Sequence, residues 1–133
     1  MNAQQLQSNY DELISYIEKY IESPRKEKVL DFYKQHEDRL ILLPAAHKAA
    51  YHSAFAGGYV FHVNNVIKNA LVSLDVWRRA GSNLVDITLD SVVFCALNHD
   101  LGKICLLYTS DAADDSLRVD LGGRRIIKKL IAM

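Results

Sequence analysis

The sequence predicts an all-α fold, a helical bundle, on three observations. Apolar residues recur at helical spacing through most of the chain up to about residue 100. No alternation of period two persists over that stretch, so no strand is predicted. Proline, glycine and threonine fall where helices start and stop.

The first helix is read from Tyr10, Leu13, Ile14, Ile17 and Ile21, one buried stripe over residues 9–21. Ser23-Pro24 then reads as an N-cap followed by a first helical position, where proline has no N–H to lose. The helix that follows carries Val29, Phe32, Tyr33 and His36 on one face and ends at Glu37-Asp38-Arg39. Leu40 to Leu43 is predicted extended or in a turn, because a residue before proline is pushed out of helical dihedrals. The alanine- and histidine-rich run from Pro44 to Ser53 predicts a short helix, broken by Gly57-Gly58. A long helix from about Tyr59 to Ala80 follows, with Val63, Val66, Ile67, Ala70, Leu74 and Trp77 along its buried side and Gly81 closing it. Thr88 caps the next helix, Leu89 to about Asp100, with Asp90 favourably placed against the helix dipole and Gly102 as its C′ glycine.

Composition bounds the class. The chain has 133 residues, 50% hydrophobic and 24% charged, which suits one folded domain and excludes disorder. Sixteen basic and sixteen acidic residues balance, so there is no overall basic field to hold nucleic acid. Two cysteines make no disulfide scaffold and point to a reducing, cytoplasmic setting. The N-terminus lacks the basic and apolar regions of a signal peptide, and the longest apolar run, Leu40 to Ala46, is far short of a membrane span.

The chemistry gathers at His99-Asp100. His99 shares a face with Val92, Cys95 and Ala96, which predicts an inward ring, and Asp100 shares one with Val93, Ala96 and Leu97. A carboxylate turned inward at the negative end of a helix is unfavourable without a cation. A divalent metal would supply one, and Lys103 could supply part of it. A solvated His-Asp pair at a frayed helix end is the other reading. His62 borders the apolar stripe of the long helix just after the glycine pair, as either a core histidine or a third ligand.

Leu43-Pro44-Ala45-Ala46, Tyr51-His52, Gly57-Gly58-Tyr59-Val60-Phe61-His62 and Asn98-His99-Asp100-Leu101-Gly102-Lys103 together resemble the HD superfamily of metal-dependent phosphohydrolases. The wording from Pro44 to His62 is most similar to the HD domain of YhaM-type 3′-to-5′ exoribonucleases, and stand-alone bacterial and phage HD proteins share it. The resemblance implies an HD-like bundle, truncated, with residues 1–43 as a helical lead-in and 44–104 as the first part of the domain. It implies His62, His99 and Asp100 as metal ligands, with Asp100 also catalytic. Lys103 would face the substrate phosphate as a catalytic and substrate-binding residue, and His52 would stand at the mouth of the site. The cofactor would be a divalent metal (manganese, iron, cobalt, nickel or magnesium) that acidifies a water for attack on phosphorus. The substrate would be a nucleotide or nucleic-acid phosphoester, with no membrane partner and no protein partner indicated. A degenerate module that binds a nucleotide or scaffolds a partner without turnover is the competing expectation.

Two departures bear on activity. The family uses a distal aspartate as fourth ligand and usually has further histidines before it. Only Asp111, Asp114, Asp115 and Asp120 follow Lys103, with no histidine, and none lies in a ligand-like helix pattern. The parent protein is therefore expected to be an enzyme and this chain to be inactive. From Cys105 the text also changes character. Cys105 to Asp115 and Arg118 to Ile127 resemble, in frame, the two arms of a translated transposon-type sequencing adapter. The first arm, TGT CTC TTA TAC ACA TCT, reads Cys-Leu-Leu-Tyr-Thr-Ser. The bases left between the arms have the length of a sample index. Residues 105–133 are thus read as a non-native tail, against the reading of a real segment whose Arg124, Arg125, Lys128 and Lys129 hold phosphate. Cys95 is then the one native cysteine, expected in the core.

Sequencing the gene across codon 105 from a library made without that adapter tests this. New codons carrying histidines and a helix-borne aspartate are expected. Return of the same codons would make the tail real.

Overall fold

The computed structural model describes residues 1–46 and 50–106. Among them all regular structure is helical: α1 Ala3–Tyr20, α2 Arg25–Gln35, α3 Glu37–Leu40, α4 Gly58–Arg79, α5 Leu89–Asn98 and α6 Lys103–Leu106. The tail reading falls outside the described residues, apart from the backbone of residues 105 and 106.

The stripe read on α1 is buried at Tyr10, Leu13 and Ile17, but the helix begins earlier than residue 9. Asn2 caps it: its side chain accepts from the Gln5 N–H, and the Gln5 side chain accepts from the Asn2 N–H, a reciprocal capping box. Pro24 rather than Ser23 is the N-cap of α2, and the Ser23 hydroxyl donates instead to Glu27. Glu37 to Arg39 do not simply end α2. They open a further turn whose Arg39 and Leu40 N–H groups donate to the His36 carbonyl, and this turn buries Leu40.

The short helix predicted over Pro44 to Ser53 is not found in its described parts, residues 44–46 and 50–53, which are turns and bends; its middle, 47–49, is outside the described residues. Short helices are marginal without tertiary support. Here the Ala45 N–H donates to the Ser53 carbonyl at 3.0 Å and closes the segment as a loop. Gly57 and Gly58 then seat α4. Gly57 has φ +82°, a left-handed conformation that favours glycine. A Cβ on Gly58 would fall on the Ser53 carbonyl.

α4 packs against both α1 and α5, and α1 also packs against α2 and α5. One apolar cluster results, drawn from Leu13 and Ile17 of α1, Val29 and Tyr33 of α2, Val63 and Ile67 of α4, and Val93 and Leu97 of α5. Burial on α4 ends at Leu74, and Trp77, read on the buried side, is 61% exposed. The 22 residues of α4 run about 33 Å, longer than α1 or α5, so its last turn extends beyond its neighbours. Gly81 closes it as read, at φ +86°, with the Gly81 and Ser82 N–H groups donating to the Arg78 and Trp77 carbonyls in a Schellman arrangement.

Thr88 caps α5 through its hydroxyl oxygen, which accepts from the Ser91 N–H at 3.1 Å. Asp90 accepts from the Glu22 N–H at 3.3 Å, tying the α1–α2 link to the start of α5. Cys95 is exposed, not core: α5 buries Val93, Phe94, Ala96, Leu97 and Asn98, and Ser91, Cys95 and His99 fall on the outer line. Gly102 is not a left-handed C′ residue either. The chain turns on, with Lys103 N–H donating to the Asp100 carbonyl and Ile104 N–H to that of Leu101, into α6.

Replacing Gly58 by alanine tests the seat of α4. A Cβ against the Ser53 backbone is expected to cost about 1–3 kcal/mol, seen as a lower urea midpoint. An unchanged midpoint would show that the loop yields freely.

Candidate metal centre

The first turns of α4 and the end of α5 meet. His62 stands on α4 and His99 is the C-cap residue of α5, with Asp100 just beyond it. His62 Nε2 lies 3.2 Å from His99 Nε2 and 3.4 Å from Asp100 Oδ2, and His99 Nε2 lies 3.2 Å from the same oxygen. Three of the residues expected as ligands are therefore together, two from one helix end and one from another.

The donor set fits a divalent ion. Ligand atoms about 2.1 Å from one ion stand about 3.0 Å apart in an octahedron and about 3.4 Å apart in a tetrahedron. The observed triangle has the size of one face of such a polyhedron. Orientation agrees with size. His99 Nδ1 lies 2.6 Å from the Ala96 carbonyl, which has no proton to give, so Nδ1 is the donor. Neutral His99 then turns its lone pair, on Nε2, toward the cluster. Its ring reaches the site although its helix position is outward, and the side chain stays one-third exposed.

Lys103 takes the place the sequence suggested for it beside Asp100: its ammonium donates to Oδ2 at 3.0 Å. His52 is close as well, its ring centroid 4.7 Å from that of His62, but it is not among the three converging ligand atoms. The loop closed by Ala45 and Ser53 delivers it there.

The electrostatics follow from this crowding. Burial pulls the His62 pKa down, and positive charge on His99 pulls the same way, against Asp100. Burial raises the Asp100 pKa, yet the hydrogen bond from Lys103 and the charges of His99, Lys103 and His62 outweigh it, and the carboxyl sits below its ordinary value. Both shifts keep lone pairs free for a cation.

Behind the site lies a polar contact with little sign in the sequence. The Tyr33 hydroxyl is 3.0 Å from Asn98 Oδ1 and 3.2 Å from the Leu97 carbonyl, and Asn98 Nδ2 donates to the Phe94 carbonyl. This pins the last turn of α5 just before His99. Tyr33 reads as plain apolar stripe, and only the asparagine at the end of an apolar helix signals a buried polar contact.

Scanned against protein families, curated proteins and solved structures, the chain finds no match. What stands is an all-helical structure, among the described residues, with a His62, His99 and Asp100 cluster that can coordinate a divalent metal. No helix among the described residues is long and apolar enough to cross a membrane.

The two shifts predict how metal-free stability responds to acid. His62 has a lowered folded pKa, so the unfolded chain takes up its proton first and stability falls as pH drops below 6.5. Asp100 is also lowered, and its contribution is lost further down, as pH falls from 3.8 through its folded value. The melting temperature should fall between pH 7 and 5, and His62→Ala should flatten that part of the curve. An unchanged slope in the variant would refute the assignment.

Proposed function

We propose that the chain carries the metal-binding part of an HD-type phosphohydrolase that acts on a nucleotide or nucleic-acid phosphoester. The observation that carries this reading is the convergence of His62 Nε2, His99 Nε2 and Asp100 Oδ2 within 3.2–3.4 Å, with the His99 tautomer set by the Ala96 carbonyl. The order of these residues along the chain, and the glycine pair before His62, supports the HD assignment.

A bound divalent ion would supply Lewis acidity, acidifying water and screening charge on a phosphoryl group. His62, His99 and Asp100 would hold it. Lys103 would bind a phosphate oxygen, since its ammonium stands at the cluster and Asp100 would give up its hydrogen bond when the ion takes Oδ2. His52, tilted over His62 from the loop, would orient the substrate at the mouth. In sequence the chain divides into a lead-in over residues 1–43 and a site-bearing part over 44–104, while both contribute to one apolar cluster. We place the protein in the cytoplasm.

A non-catalytic module is supported by a separate observation. The cluster among the described residues has three ligands and no fourth carboxylate.

Calorimetry with Mn²⁺ and hydrolysis of bis(4-nitrophenyl) phosphate test both readings. The 133-residue chain should bind Mn²⁺ without turnover, and His62→Ala should weaken binding tenfold or more. A chain continued past residue 104 with the independently read codons should hydrolyse the ester. Binding without turnover in that longer chain would favour the module. No binding by the wild-type chain would refute the metal centre.

A further inference from the structure

Tyr59 opens α4 one turn before His62. Its side chain is fully buried, yet its hydroxyl has no hydrogen-bond partner among the described residues. Such a group opposes folding, and phenylalanine would fill the same space without that penalty.

The packing register places Tyr59 along α5. His62, near the start of α4, meets His99 at the end of α5, and Arg78, near the end of α4, donates to the Ile87 carbonyl just before α5. The two helices are therefore antiparallel. Tyr59 and His62, three residues apart, share one side of α4. Tyr59 thus lies beside the turn from Asp100 to Lys103, one turn beyond the contact that His62 makes. The electrostatics agree: burial, then the charge of Asp100, push the Tyr59 phenol far above its ordinary pKa. The ion pairs of Asp100 with His62, His99 and Lys103 all fall on Oδ2, and Oδ1 takes part in none of them.

We propose that Tyr59 is a positioning residue for Asp100, whose hydroxyl donates to Oδ1, directly or through one buried water, when a divalent ion takes Oδ2. A carboxylate held at one oxygen by an ion is free to swing about its terminal torsion. A donor on its other oxygen fixes the plane and so the direction of the ligand lone pair. This role rests on the metal-centre reading.

Tyr59→Phe in the full chain tests it by two readouts, Mn²⁺ calorimetry and melting with and without Mn²⁺. The metal-free melting temperature should stay level or rise, because an unpaired hydroxyl is removed. The Mn²⁺ dissociation constant should rise about tenfold or more, and the Mn²⁺-induced gain in melting temperature should shrink. Equal Mn²⁺ affinities would overturn the proposal. So would a lower metal-free melting temperature, which would mean that the hydroxyl already supports the fold. If the wild-type chain itself binds no Mn²⁺, the metal centre falls and this role falls with it; binding by the wild type separates the two failures.

Discussion

The site depends on the phase of α4 against α5. Successive residues on a helix differ by about 100° in direction, so one residue of slip on either helix would separate His62 from His99 and Asp100. Several independent contacts hold that phase. At the start of α4, Gly57 takes the left-handed turn and Gly58 lets the helix lie on the Ser53 carbonyl. At the start of α5, Thr88 caps the helix and Asp90 is tied to the Glu22 N–H. At its end, Tyr33 reaches across from α2 to Asn98. The apolar core sets which faces meet, and these polar contacts set the rotation and the rise.

Much of this is legible in the sequence, because it is written in local chemistry. The caps at Thr88 and Gly81, the glycine pair before α4, the stripes of α1 and α4, and the Lys103 and Asp100 pair at i,i+3 all follow from rules that act over one or two turns. The residues alone offer His62 as either a core histidine or a third ligand, and the resemblance favours the ligand. Nothing local in the sequence says that two residues 37 positions apart will bring nitrogens to 3.2 Å.

The misread residues share a cause. Cys95 sits in an apolar run and Trp77 continues the helical spacing of the α4 stripe, and each pattern predicts an inward face. α5 is so uniformly apolar that its periodicity gives no direction, and packing against α1 and α4 chooses Phe94, Ala96 and Leu97 over Cys95. α4 keeps its stripe to the end, but the neighbours stop before Trp77 does. Glycine often ends helices, which predicts a stop at Gly102. Its right-handed continuation into α6 instead keeps Lys103 one turn from Asp100, where its ammonium can reach Oδ2. In each case the residue type was compatible with two outcomes and a neighbouring element decided between them.

Lys103 gives the site its balance of charge. Acceptor atoms facing one point repel one another unless a proton or a cation lies among them. An ammonium brings one positive charge and here reaches only Oδ2, at 3.0 Å, while the two imidazole nitrogens stand at hydrogen-bond distance from each other, 3.2 Å. A divalent ion could take one lone pair from each of the three residues at once, which the lysine cannot do. Were an ion to take Oδ2, the lysine would no longer have the carboxylate to itself, and its ammonium would have hydrogens to donate. An anion arriving there would then meet two positive centres, the ion and the ammonium on its flexible stem. Such a pairing would favour an oxyanion over a neutral ligand, and it would arise from one lysine placed one helical turn after one aspartate.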